Sequence, residues 1–233
     1  MKIEPLNESS LLVSFSDEIS EPVLDLIRLF CQQLMRSSAR AAIVELVPSY
    51  NTVMLVYRLT QTDYDSLHRE LQQCYQQAQR QSKQLIRPRV VELPVFYSET
   101  TGPDLARISQ QTGLSVQDII NRHTQTQYRV YAIGFSPGYP YLASVDSLIA
   151  QPRLTAPRKN VPAGSVGIAD TQTGIYPKAS PGGWNIIGNC PEPLLDSQLS
   201  CRLNVGDTVQ FVTINEREFV ALGGKITVGF NEL

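Results

Sequence analysis

The residues best suited to chemistry lie in a stretch of the chain that begins at His123. The imidazole of His123 has an ordinary pKa near neutrality, which suits proton transfer, although the end of a helix would also suit a contact with the helix dipole. A cationic cluster follows at Arg153, Arg158 and Lys159. Arginine holds carboxylates and phosphates through a planar bidentate fork. The cluster is therefore a candidate anion site, although the pattern alone favours a solvated surface patch.

A short glycine-containing loop at residues 163–167 is a second candidate anion site. Its backbone N–H groups around Gly164 and Ser165 could surround an anion as a nest. The loop is not a Walker A motif, because no Gly-Lys-Ser/Thr follows it. The pattern alone favours the simpler interpretation, a β-turn between two strands.

Two further residues invite a chemical interpretation. Trp184 is the only tryptophan and follows Pro-Gly-Gly, so it could stack on a ligand or fill the interior of a barrel. Ser136 lies in a Gly-x-Ser-x-Gly pattern like that of a hydrolase nucleophile elbow. We exclude that role because the next residue, Pro137, has no N–H to offer an oxyanion. Both histidines also precede the serine.

The composition sets limits on the class of protein. The 233 residues carry a formal net charge of −2, which gives no support to nucleic-acid binding. No apolar run approaches the ~20 residues that span a bilayer, and the first residues lack the apolar core of a secretory signal. We therefore expect a cytoplasmic protein without membrane contact. Four scattered cysteines and two histidines argue against a metal site of Cys and His ligands at ordinary spacing.

The hydrophobic periodicity predicts an α+β chain with two domains. Residues 1–90 alternate between strand and helix in the order βαββαβ, which is that of a ferredoxin-like unit. The strands are predicted at 11–15, 41–47, 52–57 and 90–96, and the helices after Ser20 and around 64–78.

Residues 91–233 predict a small barrel or sandwich preceded by two short helices. The second helix opens at Ser115 with a pattern close to a capping box, in which Asp118 replaces the usual Glu or Gln. From residue 128 onward, short β-rich runs alternate with Gly and Pro. The last strands are predicted at 220–222 and 226–228. Many aromatic and β-branched residues accompany the Gly and Pro, so this region is expected to form shaped turns around a pocket or an interface.

Taken together, the motifs of the second half resemble the 5-oxoprolinase B-subunit family. The family includes KipI-type inhibitors of a sporulation histidine kinase and was formerly labelled allophanate hydrolase subunit 1. The resemblance is carried by residues 123–124, 128, 134–135, 137–138, 140–142, 157–158, 161–168, 172–177 and 181–184. The sequence departs from the family at Asn189-Cys190, where Arg-Thr is usual, and at Tyr139, where Phe is more common.

The resemblance implies a fold, a reaction and partners. The fold would be a ferredoxin-like N-terminal domain and a cyclophilin-like C-terminal β-barrel. The chain would act with homologues of the 5-oxoprolinase C and A subunits to hydrolyse 5-oxoproline to glutamate at the expense of ATP. ATP with Mg²⁺ would be bound in the complex, and the isolated chain would be inactive.

The motifs also suggest which residues form the site. His123 and Arg158 are the expected catalytic residues, and we expect the barrel to bring them into one cleft with the 163–167 loop. The expected substrate- or anion-binding residues are Lys159, Gly164, Ser165, Gln172 and Trp184. Two other functions stay open. One is a binding protein that inhibits a sensor histidine kinase, and the other is a component of a urea- or allophanate-related hydrolase.

Overall fold

The computed structural model describes residues 1–82, 88–226 and 230. The chain forms two compact units, Met1–Pro88 and Arg89–Leu233. Both are mixed α/β structures in which most strand pairs are antiparallel. Within the described residues, no helix has the length and apolar character needed to cross a membrane.

In its described part, the N-terminal unit is a four-stranded antiparallel sheet with two α-helices. Its elements are β1 (Lys2–Asn7), β2 (Ser10–Ser14), α1 (Glu21–Leu34), a 3-10 helix (Ser38–Ala42), β3 (Ile43–Ser49), β4 (Thr52–Tyr57) and α2 (Tyr64–Gln81). The strand order is β1-β2-β4-β3. One core collects the apolar faces of the sheet and both helices.

The helices of this unit follow from their local sequence. Pro22 lies in the first turn of α1, where its missing N–H costs no hydrogen bond. The side chain of Asp63 caps α2 by accepting the Ser66 N–H at 2.7 Å. Apolar residues at helical spacing then bury one side of each helix, as Leu67 and Leu71 do on α2.

The predicted βαββαβ order does occur along the chain, as β2-α1-β3-β4-α2 and then the strand β5 (Val90–Val95), but the described residues of the N-terminal unit follow the order ββαββα. The additional strand, β1, pairs with β2 as a hairpin. The predicted last strand does form, as β5, but it pairs in parallel with β13 (Thr208–Thr213) inside the C-terminal unit. Sequence periodicity shows that a segment is a strand, whereas its partner is set by contacts distant in the chain.

The described residues of the C-terminal unit form one large sheet, a two-stranded sheet and three helices. After β5 come α3 (Leu105–Thr112), α4 (Val116–Gln125), β6 (Gln127–Ile133), β7 (Pro140–Ala143), β8 (Arg158–Val161), β9 (Ser165–Ala169), β10 (Gln172–Ile175), β11 (Ser180–Gly182), β12 (Asn185–Asn189), β13 and α5 (Glu216–Ala221). The large sheet has the order β5-β13-β6-β7-β10-β9-β12, and β8 pairs with β11.

A backbone bridge links the two ends of the large sheet. Phe96, just after β5, exchanges backbone hydrogen bonds with Asn189 at the end of β12, at 2.9 and 3.0 Å. Because the first and last strands of the order meet there, the sheet curves back on itself. The apolar residues of this unit pack on the inside of that curve and beneath α3 and α4.

In this unit, the predicted capping box of α4 is confirmed and one predicted strand is wrong. The capping box of α4 is confirmed, since Ser115 and Asp118 each bond the other's backbone N–H. The strand predicted at 220–222 is wrong, because Asn215 and Glu218 form a second capping box that starts α5. Phe219 is buried and Val220 is half exposed, as on an amphipathic helix. The strand predicted at 226–228 falls mainly outside the described residues.

Candidate functional site

An aromatic pocket in the C-terminal unit is the best candidate for a functional site. Its cavity measures about 230 Å³. Two segments that lie far apart in the sequence supply nearly all of its wall, together with Arg153 and Pro157. We call this cavity the aromatic pocket; its lining residues are Phe135, Tyr139, Tyr141, Arg153, Pro157, Tyr176, Pro181, Gly182, Gly183 and Trp184.

The first wall is the turn that leads into β7. The Gly134 N–H donates to the Tyr139 carbonyl at 3.0 Å, and the Tyr139 N–H donates to the Ser136 carbonyl at 3.0 Å. This tight turn leaves Tyr139 buried and Phe135 70% exposed. Phe135 has a φ of +66°, a left-handed backbone conformation that is unusual for an aromatic residue. The turn therefore holds one aromatic ring inside the unit and one at the pocket mouth.

The second wall is β11 and the turn into β12. Gly182 is required there, because a Cβ at this position would lie 2.2 Å from the hydroxyl oxygen of Tyr176. The Gly183 carbonyl accepts the Leu154 N–H at 2.7 Å, which anchors the segment that carries Arg153. Trp184 follows and is only 5% exposed.

Edge-to-face packing joins the two walls. The Tyr139 ring lies 5.6 Å from Trp184 and 5.2 Å from Tyr176, both nearly perpendicular. Tyr141 lies 6.0 Å from Trp184. Such arrangements are favoured by the quadrupoles of aromatic rings. They make the pocket floor rigid, and they show that Trp184 both fills the interior and borders the cavity.

Arg153 gives the aromatic pocket its charge. Its guanidinium carbon lies 6.0 Å from the centre of the Trp184 ring, within the range of a cation–π contact. Arg153 is exposed, and no carboxylate pairs with it in the part of the chain that the structure describes. The pocket can therefore accept a small flat group that carries a negative charge.

The structure gives Arg158 a different environment. Its two terminal nitrogens donate to the carboxylate oxygens of Asp104 at 2.8 and 3.1 Å, and both side chains are nearly fully buried. Asp104 also accepts the Ile186 N–H at 2.6 Å and a second guanidinium, Arg107, at 3.2 Å. Lys159 is exposed on the same strand. The fork of Arg158 is thus engaged by a carboxylate of the chain itself.

His123 lies in the interior of the C-terminal unit and is fully buried. Nδ1 lies 2.8 Å from the Tyr97 hydroxyl, and Nε2 lies 2.9 Å from the Thr173 hydroxyl. Because Thr173 donates its proton to the Gly167 carbonyl, it must accept from Nε2–H, and Nδ1 then accepts from Tyr97. Burial lowers the pKa of His123 to about 3, so the ring is neutral at pH 7.

His123 and Arg158 therefore do not meet in a common cleft. Their hydrogen-bond partners differ, and neither side chain lines the aromatic pocket or the larger cavity described next. Gln172, at the start of β10, is partly exposed and lines neither cavity. Of the predicted site residues, only Trp184 borders the aromatic pocket.

A larger cavity of about 620 Å³ lies beside the 163–167 loop. Gly164 and Asn189 line it, and the Asn189 side chain donates to the Ala163 carbonyl at 2.9 Å. Asn189 stands at the position where the family more often has arginine, so this cavity lacks that cation. Glu192 and Lys225 are the charged residues on its wall.

Residues 163–164 of the 163–167 loop form a turn, residues 165–167 begin β9, and the first N–H groups of the loop bond to carbonyls of the chain itself. The Gly164 N–H donates to the Tyr176 carbonyl at 2.7 Å, and the Ser165 N–H donates to Pro162 at 3.3 Å. Gly164 has a φ of +79°, and a Cβ there would lie 2.3 Å from the Cys190 carbonyl oxygen. Ser165 is fully buried. These donors face the protein and are not arranged around an anion.

The sequence did not indicate the residues that contact Arg158 and His123 in the folded chain. Asp104 carries no motif, and its buried pairing could not be read from its position before a helix. Tyr97 and Thr173 join His123 only in the folded chain. Arg153 did belong to the cationic cluster, and its neighbouring aromatic segments were the signal that could have favoured it.

Comparison with known proteins identifies the class. Residues 1–202 match the family model described as "carboxyltransferase domain, subdomain C and D". The Kluyveromyces lactis urea carboxylase shares the fold, with a TM-score of 0.70 at 17% identity over 98% of this chain and 23% of that chain. The solved structure of TTHA0988 has a TM-score of 0.77 at 33% identity. It aligns with 88% of this chain, which spans 40% of that longer chain.

A curated relative narrows the assignment. The 5-oxoprolinase B subunit of Bacillus subtilis (strain 168) is 33% identical over 231 residues, which are 94% of this chain and 95% of that protein. The chain therefore belongs to the 5-oxoprolinase B-subunit family within the carboxyltransferase-domain proteins.

Proposed function

We propose that this chain is one component of an ATP-dependent 5-oxoprolinase complex that opens 5-oxo-L-proline to L-glutamate. The near full-length match to a B-subunit protein supports this assignment. The observation that carries it is the aromatic pocket, because the segments around 134–141 and 176–184, which carry the family resemblance, converge on one cavity. We also propose that the chain is cytoplasmic and that its two units are related to ferredoxin-like and cyclophilin-like folds.

The chemistry requires activation of the lactam. Its amide carbonyl is a poor electrophile. Transfer of the γ-phosphoryl group of ATP to the lactam oxygen, with ADP as the leaving group, would make the carbon reactive toward water, and the ring would then open with release of phosphate. Charge developing on that oxygen then needs fixed donors or cations, and the ring nitrogen needs a proton source. A site of this kind can be shared between the proteins of a complex.

We propose that ATP with Mg²⁺ is bound in the complex. The Gly164 and Ser165 N–H groups, the expected anion donors, donate instead to the Tyr176 and Pro162 carbonyls of the chain itself, which supports a nucleotide site elsewhere in the complex. We propose that a partner, the homologue of either the A or the C subunit, provides the nucleotide site.

Direct catalytic roles for His123 and Arg158 stay predictions. Both ring nitrogens of His123 and both terminal nitrogens of Arg158 are hydrogen-bonded inside this unit. Proton transfer by His123 or substrate binding by Arg158 would require these bonds to exchange partners in the complex. Without such an exchange, the two residues position the elements around them.

Reconstitution tests the proposed function. The chain is assayed for ATP-dependent release of glutamate from 5-oxo-L-proline, alone and with homologues of the A and C subunits. We expect turnover only in the reconstituted complex. Turnover by the purified chain alone would contradict the multi-protein model. Failure of the complex to release glutamate, together with inhibition of a sensor kinase by the chain, would move the function to the kinase-inhibitor class.

A further inference from the structure

We propose that the aromatic pocket binds the substrate ring and that Arg153, rather than Arg158, holds the substrate carboxylate. The identity of the ligand, a small lactam that carries a carboxylate, rests on the proposed function. The site and its chemistry rest on the geometry of the pocket.

The size and composition of the aromatic pocket favour a small flat ligand. Its volume of about 230 Å³ lies below the ~300–1,000 Å³ usual for sites of drug-sized molecules. Aromatic rings and the edges of Pro157 and Pro181 form most of the wall. A single saturated ring with a planar amide suits the size and the mainly apolar character of such a wall.

The pocket is open to ligands. Phe135 is 70% exposed at its mouth, and Pro181 and Arg153 are also exposed. Trp184, by contrast, is fixed in the floor by Tyr139 and Tyr141. A rigid floor with an accessible mouth is the arrangement expected of a preformed site.

Charge decides between the two arginines. Arg158 has a complete bidentate partner in Asp104, and a second carboxylate there would meet the negative charge of Asp104. Arg153 is the one charged residue among the described lining residues of the pocket. No carboxylate of the described chain neutralises it. A ligand carboxylate at the pocket mouth would supply the missing partner.

The single tryptophan makes the proposal directly measurable. Since Trp184 is the only Trp in the chain and borders the pocket, its fluorescence reports on this site. We would titrate 5-oxo-L-proline into the isolated full chain and into the reconstituted complex. The second ligand is 2-pyrrolidinone, which has the same lactam ring without the carboxylate.

The two ligands and three variants separate ring binding from carboxylate binding. In Arg153→Met, affinity for 5-oxo-L-proline should fall about 10- to 100-fold, which corresponds to the loss of one charged hydrogen-bonded pair. Affinity for 2-pyrrolidinone should change less than about 3-fold, since that ligand has no group for Arg153. Arg153→Lys should recover part of the loss, because lysine keeps the charge without the fork. The matched control is Arg217→Met, an exposed arginine on α5, which should bind both ligands as the unaltered chain does.

Several outcomes would overturn the proposal. One is the absence of any Trp184 response to 5-oxo-L-proline in both the chain and an active complex. Another is an Arg153→Met variant, with an unchanged melting temperature, that binds both ligands normally. The proposed function fails separately, because it predicts turnover. If binding depends on Arg153 but the complex shows no turnover, the proposed function is wrong and the proposed site stands. If the complex turns over but no ligand binds near Trp184, the proposed site is wrong and the proposed function stands.

Discussion

Arg158 and Asp104 form a buried, two-bonded ion pair, with the guanidinium nitrogens 2.8 and 3.1 Å from the carboxylate oxygens. Asp104 is the residue at the start of α3, and Arg158 begins β8. The same carboxylate accepts the backbone N–H of Ile186 in β12. One anion thus fastens a helix and two strands together.

The ion pair predicts a large stability effect. Asp104→Asn keeps the shape of the side chain but leaves Arg158 charged, buried and without its carboxylate, so the free energy of unfolding should fall by about 3–5 kcal/mol. Arg158→Met should destabilise as well, with Asp104 left paired to the half-exposed Arg107. Urea denaturation followed by Trp184 fluorescence measures both variants. A change below about 1 kcal/mol in Asp104→Asn, the value expected of a surface pair, would contradict the structural role.

Because His123 is buried and neutral, the stability of the C-terminal unit should depend on pH. Burial holds its pKa at about 3 in the folded chain, whereas an unfolded histidine titrates near 6.5. Below pH ~6.5 the unfolded chain therefore binds a proton that the folded chain does not. The stability contributed by neutral His123 is full above that pH and is lost as pH falls toward 3, by about 1.4 kcal/mol per pH unit.

The measurement compares urea denaturation at pH 7 and pH 5 in three proteins. The unaltered chain should lose about 2 kcal/mol over this interval from His123. In His123→Gln, the loss of unfolding free energy between pH 7 and pH 5 should be smaller by about 2 kcal/mol, whatever the stability of that variant at pH 7. His68→Gln is the matched control, since His68 is the other histidine of the sequence, and it should keep the full dependence. An identical pH dependence in all three would show that His123 titrates normally in the folded chain.

Substitution of Gly182 should distort the aromatic pocket. A Cβ in Gly182→Ala would lie 2.2 Å from the Tyr176 hydroxyl oxygen, so the tyrosine or β11 must move, at a cost of about 1–3 kcal/mol. Gly134→Ala is the control, because a Cβ there has no atom within 4 Å. Thermal denaturation measures stability, and Trp184 emission measures the surroundings of the pocket. Equal behaviour of the two variants would contradict the close packing at Gly182.

The proposed complex predicts a stable association with a homologue of the 5-oxoprolinase C subunit. A specific interface buries at least about 1,000 Å², and an isolated component that is inactive should expose part of that surface. Co-expression followed by size-exclusion chromatography at micromolar concentration should give one co-eluting peak. Glutamate release should appear only after the A-subunit homologue is also added. Separate elution of the two chains would count against the assignment.

The sequence by itself determined the local features of this protein. Pro22, Asp63 and the Ser115–Asp118 box act within one helical turn, so their residue types are enough to place the starts of α1, α2 and α4. The Gly, Pro and aromatic residues of 134–142 and 181–184 likewise indicated shaped turns and carried the family resemblance. Both turns do line one pocket.

Only the tertiary structure decided which residues act together. Asp104 lies 54 residues from Arg158, and Thr173 lies 50 residues from His123. Sequence showed two chemically equivalent arginines, five positions apart, and the fold gave Arg158 a buried carboxylate while it left Arg153 at the mouth of the aromatic pocket. It also moved β5 from the expected N-terminal sheet to a parallel pairing with β13. The reason is physical: capping and turn preferences are set by neighbours in the chain, whereas burial, ion pairing and strand partners depend on side chains that meet only after folding.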